Sequence, residues 1–316
     1  MSTRMKIAAT GIRLAAAASP ALGGRLAVPL FFSTRPRMRV RADDEATHHA
    51  ARRDVVEVRD LAVQTYQWGT GTRAALLLHG WHGRASQFAT LVRDLVAEGY
   101  RVHAFDAPAH GDSAGNRTDA RDWIAAARSL ARSEGPFDLV IGHSFGAFAA
   151  LAAVRDGVDA ARVVTIAGAG TADAFLAQFS RTLGLSHPAR IAFESAFHRR
   201  LRMTPHEAAA LLDSLAHPLP AETELLVIHD TDDRALDAAG SLALHRAYEN
   251  NAYENNAHER RSRLLLTSGL GHNRLLAGDE VLDAVLTFAD GGVRALDRSG
   301  IGSAEAPRVV TRSVVE

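Results

Sequence analysis

The chain contains no cysteine, which removes disulfide frameworks, thiolate zinc sites, iron–sulfur clusters and a cysteine nucleophile together. Lysine is nearly absent: Lys6 is the only one among 36 basic residues, so Schiff-base chemistry on a lysine amine is disfavoured. Acidic residues also number 36, and with zero net charge no overall field draws a polyanion, which argues against nucleic acid as a partner. No apolar run reaches the roughly 18 residues that a transmembrane helix needs. What remains is a globular composition, 47% hydrophobic and 23% charged over 316 residues. That length suits two domains of about 150 residues, or one large α/β domain with an insertion.

The pattern divides the chain at about residue 54. Residues 1–53 read as a helical and linker segment: 7–32 is Ala-rich and apolar but broken by Arg13, Pro20, Gly23, Gly24, Arg25 and Pro29, and a basic linker follows at 35–41. Arg13 leaves only 14–24 as the core of a secretory signal, which disfavours export; a cytoplasmic location is expected. Residues 7–32 are expected to form one or two amphipathic helices that pack on the body or touch a membrane surface.

From residue 54 to 290 short apolar runs alternate with longer amphipathic stretches, the pattern of a mostly parallel sheet covered by helices. Eight strands are predicted, at 55–58, 62–68, 74–78, 102–105, 139–142, 163–167, 225–229 and 264–267. Helices are predicted at 85–98, 120–133, 146–155 and 236–249. The stretch 171–219 has helical patterns and no strand, so it reads as a small cap inserted above the sheet. Its Phe175, Phe179, Phe193 and Phe197 recur at helical spacing, which serves core packing or the underside of a lid. The pentapeptide AYENN occurs twice in tandem from Ala247 and reads as a local loop expansion. Residues 291–316 lose periodicity and are expected to form a loose tail.

The chemistry is concentrated at strand ends. Gly142-His143-Ser144-Phe145-Gly146 follows the apolar run DLVI and precedes AFAALAAV. A strand, a sharp turn and a helix are the context in which a serine hydroxyl is lifted above a sheet, with flanking glycines for close backbone approach. Such a hydroxyl needs a histidine to take its proton and an acid to hold that histidine. After the run ELLVI stands His229-Asp230-Thr231-Asp232-Asp233, with three carboxylates; after LLLT stands Ser268-Gly269-Leu270-Gly271-His272. Other histidines read more plainly: His48 and His49 as solvated, His103 as a sheet residue. His79 and His82 lack metal-site spacing.

These motifs, with His79-Gly80-Trp81 after the third strand and Asp106 to Ser113 after the fourth, resemble the α/β-hydrolase superfamily over residues 54–290. The resemblance implies an α/β-hydrolase fold: a mostly parallel eight-stranded sheet flanked by helices, with a small helical cap. In that family the acid commonly stands three residues after a glycine in a motif like I-H-G-x-x-D. Here Asp230 replaces the glycine, and counting on reaches Asp233, with Asp232 as the fallback. The implied site is a Ser144, Asp233, His272 triad, with the backbone N–H groups of Trp81 and Phe145 as oxyanion hole. Trp81, His82, Phe88 and Phe145 are candidates for lining the acyl pocket or for ordinary packing beneath the loop.

The implied reaction is hydrolysis of a small-molecule ester, or a related acyl bond, through an acyl-enzyme without metal or organic cofactor. Serine at position 144 disfavours the haloalkane dehalogenases and epoxide hydrolases of the fold, which carry aspartate there. The HGW loop is most similar to carboxylesterases. An acyltransferase and a ligand-binding protein on the same scaffold stand as alternatives.

Overall fold

The computed structural model describes residues 3–254 and 261–302. Three helices lead the chain: α1 (Thr3–Ala18), α2 (Pro20–Phe31) and α3 (Ala42–His49). The strands follow as β1 (Arg52–Val58), β2 (Leu61–Trp68), β3 (Arg73–Leu78), β4 (Tyr100–Phe105), β5 (Phe137–His143), β6 (Ala160–Ile166), β7 (Glu224–Asp230) and β8 (Ser262–Thr267). They form one sheet in the order β1-β2-β4-β3-β5-β6-β7-β8. The β1–β2 and β2–β4 pairs are antiparallel and every later pair is parallel. This is the α/β-hydrolase fold, with all eight strands where the apolar runs place them.

Helices cover both faces because the strand interiors are apolar on both sides. On one face α5 (Ala120–Glu134) and α6 (Phe145–Arg155) bury Trp123, Phe148 and Leu151 against Leu76, Val140 and Val163. On the other, α4 (Ala89–Ala97) and α11 (Asp279–Ser299) bury Leu91, Leu95, Val285 and Phe288 against Leu77, Ile141 and Val164. Phe88, just before α4, belongs to this second core and is fully buried.

The insertion is helical, as α7 (Ala172–Leu183), α8 (His187–Leu201) and α9 (Pro205–Leu212). It is not the whole cap. Ala9 and Ile12 of α1 and Ala27 and Val28 of α2 enter one core with Leu176, Phe193 and Phe197, so the N-terminal helices pack on the body. Arg37 then pins the linker by donating to the carbonyls of Gly111, Ser113 and Gly115 at 3.0, 2.7 and 2.7 Å. Among the described residues no helix is long and apolar enough to cross a membrane.

Three expectations need correction. His48 is buried, because α3 packs beside Tyr66 and turns the ring inward. The first AYENN copy and part of the second lie in a helix, α10 (Ala239–Glu254), and Asn255 and Asn256 lie outside the described residues. Good helix formers around the repeat carry the helix through it. Residues 291–299 are not loose: Gly291 and Gly292 break the helical geometry, but the chain resumes and buries Val293 and Leu296. Residues 303–316 lie outside the described residues.

Candidate active site

The end of β5 supplies the hydroxyl. Ser144 sits between strand and helix at φ 55, ψ −120, a conformation that costs a non-glycine residue about 1–3 kcal/mol and persists only where neighbours impose it. Its N–H is held by the Ile166 carbonyl at 2.8 Å. The turn closes because its flanks lack side chains: a Cβ on Gly142 would lie 2.3 Å from the Ala147 Cα, and one on Gly146 2.1 Å from the Leu78 carbonyl oxygen.

The loops after β7 and β8 bring the other two groups to it. His272 Nε2 lies 3.0 Å from Ser144 Oγ, and His272 Nδ1 lies 2.6 Å from Asp233 Oδ2. The Asp233 side chain is fully buried, and that of His272 is 17% exposed. Burial alone would raise the Asp233 carboxyl, but hydrogen bonds from His229 and His272 and from the Leu236 amide outweigh it and hold the group far below the usual carboxylate range. Asp233 Oδ1 accepts from the Ala235 and Leu236 amides at 2.7 and 3.1 Å. A carboxylate so supplied with donors stays ionised.

The neighbouring carboxylates build the loop. Asp232 Oδ2 accepts from the Gly269 amide at 2.9 Å and from the Ser268 hydroxyl at 3.3 Å. Asp230, which replaces the glycine of the motif, is buried and accepts from Thr267 Oγ1, the Leu270 amide and the Asp232 amide at 2.8, 2.9 and 2.9 Å. The substitution therefore adds a carboxylate that ties the acid loop to the histidine loop. Asp233, not Asp232, meets His272.

Two further histidines hold the surroundings, and neither was singled out as a site residue. His143 accepts at Nδ1 from the Gln87 side-chain amide at 2.9 Å and faces the His272 carbonyl with Nε2, also at 2.9 Å; the first contact leaves the proton on Nε2. Burial, then the neighbouring His272, pushes its pKa down to about 3, so it stays neutral. His79 accepts the Ala107 amide at Nε2 and donates from Nδ1 to the Gly80 carbonyl, at 2.9 and 2.7 Å. Burial pushes it down to about 4. It shapes the loop that carries Trp81, whose ring stacks on Trp123 at 5.4 Å and whose Nε1 donates to the Ser33 carbonyl at 2.7 Å.

Ser144 and His272 open onto a cavity of about 290 Å³. Of the four candidates, Trp81, His82 and Phe145 line it and Phe88 does not. The short turn before α4 directs Phe88 beneath the sheet, where it fills the second core. The wall also contains Phe148, Phe175 and Phe179, and Phe31 and Phe32 from the N-terminal segment. The phenylalanine stripe of the insertion thus serves both readings: Phe193 is fully buried in the cap, whereas Phe175 and Phe179 face the cavity. A charged pair, Arg121 with Asp119, reaches the wall and is closed on itself at 2.7 and 2.9 Å. Among the described residues no group of three or more histidine, aspartate or glutamate side chains converges as a metal site.

No curated protein matches the chain in sequence. Solved structures match it in fold. A membrane phospholipase A, described as a bacterial virulence factor, superposes with a TM-score of 0.59 at 18% identity, covering 80% of this chain and 90% of that one. An esterase of Pyrococcus furiosus gives 0.57 at 18% identity, with 84% and 97% covered. The mouse alpha/beta hydrolase domain-containing protein 10 gives 0.58 at 16%, with 78% and 100% covered. At these identities the likeness is one of fold, and the sequence decides the family: residues 75–285, more than half of the chain, match the model of the alpha/beta hydrolase family. Sheet, elbow and sequence agree, and the chain belongs to that family.

Proposed function

We propose that this hydrolase cleaves a carboxylic ester through an acyl-enzyme on Ser144. His272 takes the Ser144 proton as Oγ attacks the carbonyl carbon, and Asp233 holds the imidazolium that forms. The tetrahedral oxyanion is received by the backbone N–H groups of Phe145 and Trp81. Phe145 is the first residue of α6, where an N–H has no partner within the helix. Collapse expels the alcohol, which takes the proton back from His272. Water then repeats the sequence on the acyl-enzyme and releases the acid.

The observation that carries this reading is the continuous chain from Ser144 through His272 to Asp233, at 3.0 and 2.6 Å, opening on an apolar cavity. That cavity, about 290 Å³, is at the lower end of small-molecule sites. It suits a small or medium acyl group; the preference for esters rests on the likeness of the HGW loop to carboxylesterases. We place the reaction in the cytoplasm; recovery of the chain only after export would overturn that placement.

Mass-mapped labelling with a fluorophosphonate, run beside hydrolysis of a short-chain aryl ester, tests the reaction. Label on Ser144 is expected, with ester turnover abolished in Ser144→Ala. Absent label and equal turnover in both proteins would make the elbow architecture and turn the search to ligand binding. Acyl transfer is separated from hydrolysis by product analysis with competing alcohols and amines.

A further inference from the structure

The outer face of α1 and α2 is apolar, and the charges on these two helices are of one sign. On α1, Ile7, Gly11, Leu14 and Ala18 recur at the spacing of one helix face and all are exposed, while Ala9, Ile12 and Ala16 on the other face are buried. Ile7 is 68% and Leu14 69% exposed, and Leu22 and Leu26, one turn apart on α2, are close to half exposed. Ile191, on α8, is comparably exposed. Of the six large hydrophobic residues exposed among the described residues, all but Val55 fall on these three packed helices. Clusters of this kind mark a surface that is covered by something else.

The charges say what covers it. Every charged side chain before Asp43 is an arginine or lysine. Arg13 and Arg25 border the apolar stripes and are exposed, as are Arg35, Arg39 and Arg41 in the linker. On α8 the acidic Glu194 is tied to Arg190 at 2.6 Å. A second copy meeting this face about a two-fold axis would bring Arg13 and Arg25 against the same cationic face, with no acidic residue from α1 or α2 to neutralise them. An anionic lipid surface satisfies both features, taking the leucines into the acyl boundary and pairing the arginines with headgroups.

We infer that the exposed face of α1 and α2 docks the protein on anionic bilayers. This is peripheral binding through the plane of the interface. The same segment continues into Leu30, Phe31 and Phe32 of the cavity wall, so the docking helices and the wall of the site are one continuous piece of chain. The inference stands independently of the proposed ester hydrolysis.

Cosedimentation of the full chain with vesicles tests it, using phosphatidylcholine alone and an equimolar mixture with phosphatidylglycerol. Binding to the mixture is expected to exceed that to phosphatidylcholine by about tenfold or more and to fall with added salt. The double variant Leu14→Glu, Leu26→Glu should lose vesicle binding while keeping its melting temperature. Should that variant fail to fold, Arg13→Gln with Arg25→Gln provides the second test, weakening binding by about fivefold per cation removed. Equal binding to both vesicles, or unchanged binding by the variants, would overturn the inference. So would a concentration-dependent dimer, dissolved by the leucine variants, in place of vesicle binding; it would assign the face to a second copy.

Discussion

His143 donates from Nε2 to the backbone carbonyl of His272 at 2.9 Å. The residue before Ser144 therefore holds the main chain of the residue whose Nε2 faces the Ser144 hydroxyl. Gln87 completes the chain by donating to His143 Nδ1 at 2.9 Å, which leaves Nε2 as the protonated nitrogen. With its pKa pushed down to about 3 by burial first and His272 second, the bond persists at any ordinary working pH.

In the proposed reaction this relation makes His143 a positioning residue. His143→Ala should lower kcat by about ten- to a hundredfold, since small displacements of a reacting group carry costs of that order. KM should change little and fluorophosphonate labelling of Ser144 should slow in proportion. Steady-state kinetics with a soluble ester give the kcat and KM split. His143→Gln, which keeps a donor, should recover part of the loss.

The two neighbouring aspartates should separate cleanly. Asp233→Asn should reduce kcat by about a thousand- to ten-thousandfold, because the amide favours the wrong imidazole tautomer. Asp232→Asn should leave kcat within about threefold and act on stability, where each loosened loop hydrogen bond costs about 1 kcal/mol. Kinetics and thermal melts of the two variants, side by side, check the assignment.

Phe175 meets Phe145 and Phe148 with ring centroids 5.7 and 5.4 Å away and faces the cavity. Phe175→Ala should lengthen the cavity beside Ser144, and with it the proposed acyl pocket. Relative kcat/KM for longer over shorter acyl chains should rise about tenfold or more, since a methylene in an apolar pocket is worth about 1–3 kcal/mol. A series of aryl esters of increasing acyl length measures the shift.

Acid should destabilise the fold well above the carboxylate range. Burial pushes His79 and His103 down to about 4, and His110 and His143 down to about 3, from an ordinary value of 6.5. As pH falls through 6.5 the unfolded chain binds protons that the folded chain refuses. The histidines' stabilising contribution is thus complete above pH 6.5 and is lost on descending toward 4. Denaturant midpoints measured between these limits should fall steadily. His103→Gln should flatten the slope by about 1.4 kcal/mol per pH unit.

The alternation of short apolar runs with amphipathic stretches was enough to locate all eight strands: in β3 to β8 burial on both faces demands continuous apolar runs and the helices show striped ones, whereas β1 is mostly exposed and β2 alternates. The elbow was equally legible: glycines around Ser144 record a backbone contact too close for a side chain. The loop ends after β7 and β8 singled out three carboxylates and His272, because parallel strands deliver their C-terminal loops to one edge of the sheet; the choice of Asp233, with Asp232 as fallback, came from the resemblance to the α/β-hydrolase motif.

What lay beyond local pattern was which face each element turns to which neighbour. Phe88 and Phe148 both read as apolar helix residues, yet one lies beneath the sheet and the other in the cavity wall, since burial satisfies a phenylalanine equally on either side. His48 reads as a solvated residue until α3 packs against Tyr66. Phe31 and Phe32 stand far from the site in sequence and reach it only because α2 lies along α8. Periodicity records how much of a residue is hidden and says nothing about what hides it; contacts between distant segments decide that, and they built the wall of the cavity.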